Sequence, residues 1–166
     1  MSQPSLNELT AADIMQRDMV VVYEDDTLQD ALNSITENHV TGLPVVNSKS
    51  KCVGVITAFD ILNYEQEHSE FTAEANSDMA RHFNADTQQW ESVRVTSFAL
   101  EEFGEVLVKE VMSPNLVYVD RESPIKEVAR KMRDERIHRV LVINEDYRLH
   151  GIISSFDFVK LFADSE

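Results

Sequence analysis

The sequence predicts an α/β (α+β) fold made of two pseudo-symmetric halves packed sheet to sheet, and three observations predict it. First, Ala11–Tyr64 and Val108–Leu161 align without a gap at a constant offset of 97 residues. Nine of the 54 paired positions are identical, against roughly three expected from ordinary amino-acid usage. They are Met15/Met112, Val20/Val117, Val22/Val119, Val45/Val142, Asn47/Asn144, Gly54/Gly151, Ile56/Ile153, Phe59/Phe156 and Asp60/Asp157. Second, both copies carry the same order of hydrophobic patterns: strand, helix, strand, strand, helix. Third, 43% of the 166 residues are hydrophobic, and most other paired positions preserve apolar character, as expected if each copy is one packing unit and the pair shares a buried face.

Each copy opens with a short extended run, Val20–Tyr23 and Val117–Asp120. A helix-start signal follows, Asp26 with Gln29 three residues on in the first copy and Ser123 with Pro124 at the first helical position in the second. Leu28, Ala31, Leu32 and Ile35 then recur at helical spacing, matched by Ile125, Val128, Ala129 and Met132, so each helix buries one stripe. Next come two strands, Leu43–Asn47 with Cys52–Thr57 and Val140–Asn144 with Leu149–Ser154, joined by the polar loops 48–51 and 145–148. A closing helix starts near Ala58 or Ser155, with Ile61, Leu62, Phe158 and Val159 on its inner side. Leu9–Met15 and Leu107–Met112 are read as lead-ins, each to the repeat that follows it. The organisation is then residues 1–64 as repeat one with its lead-in, 65–107 as an acidic, partly ordered insert, and 108–166 as repeat two. Within the insert Phe71–Phe83 mixes polar residues with Ala73, Ala75, Met79 and Ala80, while Trp90, Val93, Val95, Phe98 and Leu100 could dock on the core.

A net charge of −15 argues against general affinity for nucleic acid or an anionic membrane, since no broad basic face exists to displace counterions. The charge is unevenly spread: −5 in repeat one, −8 in Glu65–Leu107 and +1 in repeat two. A phosphate-bearing ligand is therefore expected to lean on the second repeat. No apolar run approaches the ~18 residues of a membrane span, and Met1–Thr10 lacks the zones of a signal peptide, so the expected setting is cytoplasmic. Cys52 is alone and is expected to be a buried thiol. His39, His68, His82, His138 and His150 have no partner at ligand spacing, so no metal site is expected. No nucleophile triad or Walker-type loop occurs, and a non-enzyme is expected.

The densest match between the copies is Gly54–Asp60 against Gly151–Asp157, both of the form Gly-φ-φ-[Ser/Thr]-x-x-Asp with φ apolar. Thr57 or Ser154, at a strand end, can offer a hydroxyl to a phosphate or sugar oxygen beside the free N–H groups of a helix start. Asp60 or Asp157, three residues on, can accept hydrogen bonds from both hydroxyls of a ribose. The same spacing also makes a helix-capping box, which contributes about 1 kcal/mol and binds nothing.

The element order and this duplicated motif resemble the CBS-domain family, the two copies together looking like one CBS pair or Bateman module. The resemblance implies a regulatory module that binds an adenosine-containing ligand, AMP, ADP, ATP or S-adenosylmethionine, in clefts shared between repeats, with no obligatory cofactor. Carried over, it puts Thr57 and Asp60 in one cleft with Met112, Val117, Ile137, His138 and Arg139. It puts Ser154 and Asp157 in the other with Met15, Val20, Val40, Thr41 and Gly42. The first, holding His138 and Arg139, is expected to take the more phosphorylated ligand. Pro44 matches the family's apolar-proline strand start, whereas repeat two has Leu141 there. The resemblance further implies a homodimer formed through the helices and a separate protein that is regulated. The alternative is a protein-interaction module with vestigial clefts, indifferent to nucleotides.

Overall fold

The computed structural model describes residues 6–68, 79–84, 89–94 and 104–164, the two middle segments by their backbone. The first repeat region contains α1 (Ala11–Ile14), β1 (Val22–Tyr23), α2 (Leu28–Glu37), β2 (Gly42–Val46), β3 (Cys52–Thr57) and α3 (Ala58–His68). Between the repeats lie β4 (Met79–Asn84) and β5 (Gln89–Arg94). The second repeat region contains α4 (Val108–Val111), β6 (Tyr118–Val119), α5 (Ile125–Glu135), β7 (Arg139–Ile143), β8 (Leu149–Ser154) and α6 (Ser155–Asp164). Two three-stranded sheets result, β1-β2-β3 and β6-β7-β8, each with one parallel and one antiparallel pairing. Both carry a register irregularity at the same relative place, Val45/Val46 and Val142/Ile143.

Local chemistry explains most of these elements. In α2 the apolar stripe is buried at Leu28, Ala31 and Ile35, and in α5 at Ile125, Val128 and Met132. Ala129, expected on that stripe, is exposed instead. The helix starts fall one residue later than the pattern suggests. Thr27 caps α2, accepting from the Asp30 N–H at 3.1 Å while Asp30 Oδ2 accepts from the Thr27 N–H. Asp26 and Ser123, which are equivalent in the repeats, close the preceding turns by accepting from the N–H groups of Tyr23 and Asp120. The identical Asn47 and Asn144 also have a local job: each side-chain carbonyl accepts two backbone N–H groups across the loop between the long strands. Val159, expected inside, is 57% exposed, and Asp157 is the buried residue of α6.

The lead-ins cross between the repeats. Each packs into the core of the other repeat. Ala11 and Met15 are buried with Val119, Val128, Val140 and Ile153 of repeat two. Val108 is fully buried with Leu28, Val45 and Ile56 of repeat one. Burying a valine of this kind contributes about 1.5–3 kcal/mol, so the exchange ties the repeats together energetically. Short antiparallel bridges at Gln16–Ile152 and Val55–Ser113 seal it. A third cluster, Cys52 with Leu141 and Ile143, is packed against Val55 and Ile152 from the two sheets, which holds the sheets face to face. Cys52 is 2% exposed, as expected for a buried thiol, and burial pushes its pKa up.

The crossing explains why Gly54 and Gly151 are among the identical pairs. A Cβ on Gly151 would lie 2.7 Å from Met15 Sδ and 2.9 Å from the Gln16 carbonyl, and one on Gly54 would meet Met112 Sδ and the Ser113 carbonyl at 2.7 and 2.8 Å. Only hydrogen fits where the other lead-in passes. In the insert, β4 and β5 pair as an antiparallel hairpin from Met79–Arg94 to Asn84–Gln89. The docking expected of Trp90, Val93, Val95, Phe98 and Leu100, and the placement of Ala73 and Ala75, lie outside what is described. No helix among the described residues is long and apolar enough to cross a membrane.

Candidate functional site

Antiparallel register brings the site together. It pairs Gly42 with Thr57 in one sheet and Arg139 with Ser154 in the other, so each strand-end hydroxyl residue lies beside the start of its neighbouring strand. Because the sheets face each other, these four ends converge between the repeats.

A hollow of 720 Å³ opens there. Thr57, Asp60, Val117, Ile137, His138 and Arg139 line it, six of the seven residues assigned to the first cleft. Met112 is outside its lining, packed instead over Gly54. Thr41, Gly42 and Ser154, assigned to the second cleft, also border it. A second hollow of 270 Å³ is lined by Val20, Val40, Gly42 and Ser154 together with Gln16, Asp18 and Arg139. Met15 and Asp157 line neither; Met15 lies against Gly151 and Asp157 is 7% exposed.

Both Ser/Thr-x-x-Asp motifs act as helix caps. Asp60 Oδ2 accepts from the Thr57 N–H at 2.8 Å and the Thr57 hydroxyl at 2.6 Å, and Thr57 Oγ1 accepts from the Asp60 N–H at 3.2 Å. Asp157 Oδ2 likewise accepts from the Ser154 N–H at 2.7 Å and its hydroxyl at 2.8 Å. The other oxygens differ. Asp157 Oδ1 accepts from Gln16 Nε2 at 2.8 Å, with Lys160 Nζ at 4.0 Å. Burial raises the Asp157 pKa, but the Ser154 N–H, the Gln16 amide, the Ser154 hydroxyl and Lys160 outweigh it, and the carboxyl is held below the usual aspartate value. Asp60 Oδ1 has no hydrogen-bond partner among the described residues, and Asp60 lines the larger hollow. Capping therefore uses one oxygen of Asp60 and leaves the other available.

The repeats supply the reason for this inequality. Gln16 and Ser113 occupy equivalent positions at the offset of 97. Gln16 is long enough to reach Asp157, whereas Ser113 borders the large hollow and leaves Asp60 open. Arg139 Nη1 donates to Thr41 Oγ1 at 2.8 Å, linking the repeats across the mouth. Among the described residues no carboxylate lies within ion-pair distance of Arg139. The reading of the sequence missed Ser113, Asn115, Gln16 and Asp18 in these linings. The signal was present in the repeat alignment, at the first and third positions after Met15 and after Met112.

With the geometry in hand, comparison with known proteins decides the family. A model of the CBS domain matches residues 11–67 and again 108–164. The chain belongs to the CBS-domain family. It is 28% identical over 155 residues to an uncharacterized protein of Methanocaldococcus jannaschii, covering 89% of this chain and 88% of that one. It spans 66% of the chloroplastic CBS domain-containing protein CBSX1 of Arabidopsis thaliana, and a quarter of a homoserine O-acetyltransferase of Methanohalobium evestigatum that it also matches. Two solved CBS structures share the fold. One is the CBS domain pair of protein MJ0100 in complex with 5'-methylthioadenosine and S-adenosyl-L-methionine, at TM-score 0.64, 20% identity and coverage of 95% of this chain and 98% of that one. The other is CBSX2 in complex with AMP, at TM-score 0.64, 22% identity and coverage of 93% and 96%.

Proposed function

We propose that this CBS pair is a regulatory module that binds an adenosine-containing ligand, of the AMP, ADP or ATP type or S-adenosylmethionine, in the larger hollow between its repeats. The observation that carries the reading is Asp60: a carboxylate that lines a hollow of 720 Å³, with one oxygen fixed by its own helix cap and the other without a hydrogen-bond partner among the described residues. That oxygen is suited to the two hydroxyls of a ribose. Volume and lining suit a ligand of nucleotide size, with Val117, Ile137 and Leu141 as the apolar share and Arg139 and His138 as the phosphate-facing share. The complexes of CBSX2 with AMP and of the MJ0100 pair with two adenosyl compounds support the ligand class. The module carries out no chemistry of its own in this reading. Ligand binding shifts the balance between arrangements of the repeats, or of a cytoplasmic homodimer, and a separate protein responds.

The test is thermal unfolding of the purified chain with AMP, ADP, ATP, S-adenosylmethionine and adenosine. A ligand at 100 times its dissociation constant adds about 2.7 kcal/mol, a rise of several degrees at this size. Asp60→Ala should abolish the rise with AMP, ADP and ATP while the protein still folds. No rise with any ligand would overturn the proposal.

One observation favours a second reading, a protein-interaction module indifferent to nucleotides. On α6, Phe156, Val159 and Phe162 are 60%, 57% and 75% exposed, an apolar face beside a furrow between α5 and α6. A flat response to every nucleotide, together with capture of a partner that Phe156→Ser abolishes, would select it.

A further inference from the structure

The two hollows are back to back. Gly42, Leu43, Pro44, Arg139, Ile152 and Ser154 border both, so they share one wall. Arg139 is the cationic side chain on the smaller lining, and among the described residues its guanidinium is held by a neutral hydroxyl alone, Thr41 Oγ1 at 2.8 Å. A phosphate, which forms charge-assisted and bidentate bonds, would displace that hydroxyl from Arg139.

The repeat offset shows how unequally the two hollows are equipped. Arg139 stands opposite Gly42, so the second repeat supplies a cation where the first supplies none. Asn115, bordering the large hollow, stands opposite Asp18, bordering the small one. With Arg139 drawn toward a phosphate in the large hollow, the charged side chain left on the small lining is the Asp18 carboxylate. A second phosphate there would meet like charge with no cation to offset it.

We infer that Arg139 is a single guanidinium shared by the two hollows. One phosphorylated ligand can be held at a time, in the large hollow, and the small one then accepts a nucleoside-like ligand without phosphate. This rests on the adenosyl-ligand reading above and names its charge rule. The smaller volume, 270 against 720 Å³, agrees with the smaller ligand.

Isothermal titration of the full chain tests it. Wild type should bind one ATP per chain, and adenosine should still bind to the ATP-saturated protein. Arg139→Gln, at an exposed position, should weaken ATP by at least about tenfold and leave adenosine within about twofold. Asp18→Lys should admit a second ATP. Two equal ATP sites in wild type, or equal losses of ATP and adenosine in Arg139→Gln, would overturn the shared cation while leaving the adenosyl-binding reading intact. Absence of binding by every ligand would overturn both.

Discussion

The corner at Thr57–Asp60 and the corner at Ser154–Asp157 share motif, strand register and helix cap, yet they are chemically different places. In the second, Gln16 closes the carboxylate from the far side and the aspartate becomes part of the core. In the first, Ser113 stands where the glutamine would be, and the aspartate keeps an oxygen at a hollow. A duplicated motif thus supplies two caps in which the aspartate holds the N–H and hydroxyl of the residue three before it, and the residues that follow the crossing lead-ins set what each aspartate does besides capping.

The largest expected effect separates the two aspartates by stability. Asp157→Ala removes a cap and leaves the Gln16 amide and the Ser154 hydroxyl without their acceptor, and should cost on the order of 2–3 kcal/mol in urea unfolding. Asp60→Ala removes a cap at a half-buried position and should cost about 1 kcal/mol. Equal losses would break the contrast. Next in size is Gly151→Ala. The added methyl would press on Met15 and on the Gln16 carbonyl, at a cost of roughly 1–3 kcal/mol. Because that carbonyl belongs to the residue that closes Asp157, the substitution tests the lead-in exchange and the closed corner together.

These differences were only partly legible in the sequence. The helical stripes through Leu28 and Ile125 were plain, because period 3.6 is a local property and burial follows it. Strand limits fell within a residue or two for the same reason. The crossing of the lead-ins was not legible in the apolar pattern: an amphipathic turn such as Ala11–Ile14 shows that it must bury a face, not which repeat receives it, and only the family resemblance set Met15 beside Ser154 and Met112 beside Thr57. The identity of Gly54 and Gly151 was visible, but its cause, a methionine arriving from the other repeat, is tertiary. The split between the aspartates was hidden most deeply, since Gln16 acts on a residue 141 positions away.

Acid titration gives a smaller and more specific signal. Asp157 has its folded pKa lowered, so its contribution is complete above the unfolded value of about 3.9 and is lost as pH falls through the folded value. The stability gap between wild type and Asp157→Asn should therefore be constant near neutrality and shrink below about pH 4. Asp13, lowered by the Thr10 N–H and hydroxyl, acts in the same direction in both proteins and cancels in the difference. A gap independent of pH would mean that Asp157 does not titrate with the fold.

The smallest effect on stability carries the sharpest test. Ser113→Gln gives the open corner the residue that closes its counterpart. Ser113 is half-buried at the rim of the hollow, so the longer side chain has room to lie along it, and stability should change by no more than about 0.5 kcal/mol. Its amide should donate to Asp60 Oδ1 as Gln16 does to Asp157. The ligand-induced rise in melting temperature should then fall sharply for AMP, ADP and ATP, because the ribose-facing oxygen of the large hollow is engaged, and adenosine should keep only the part of its rise that the small hollow supplies. Arg139→Gln, by contrast, should cut the rise for phosphorylated ligands alone. If Ser113→Gln left the AMP response unchanged, the free oxygen of Asp60 would not be what distinguishes the two corners.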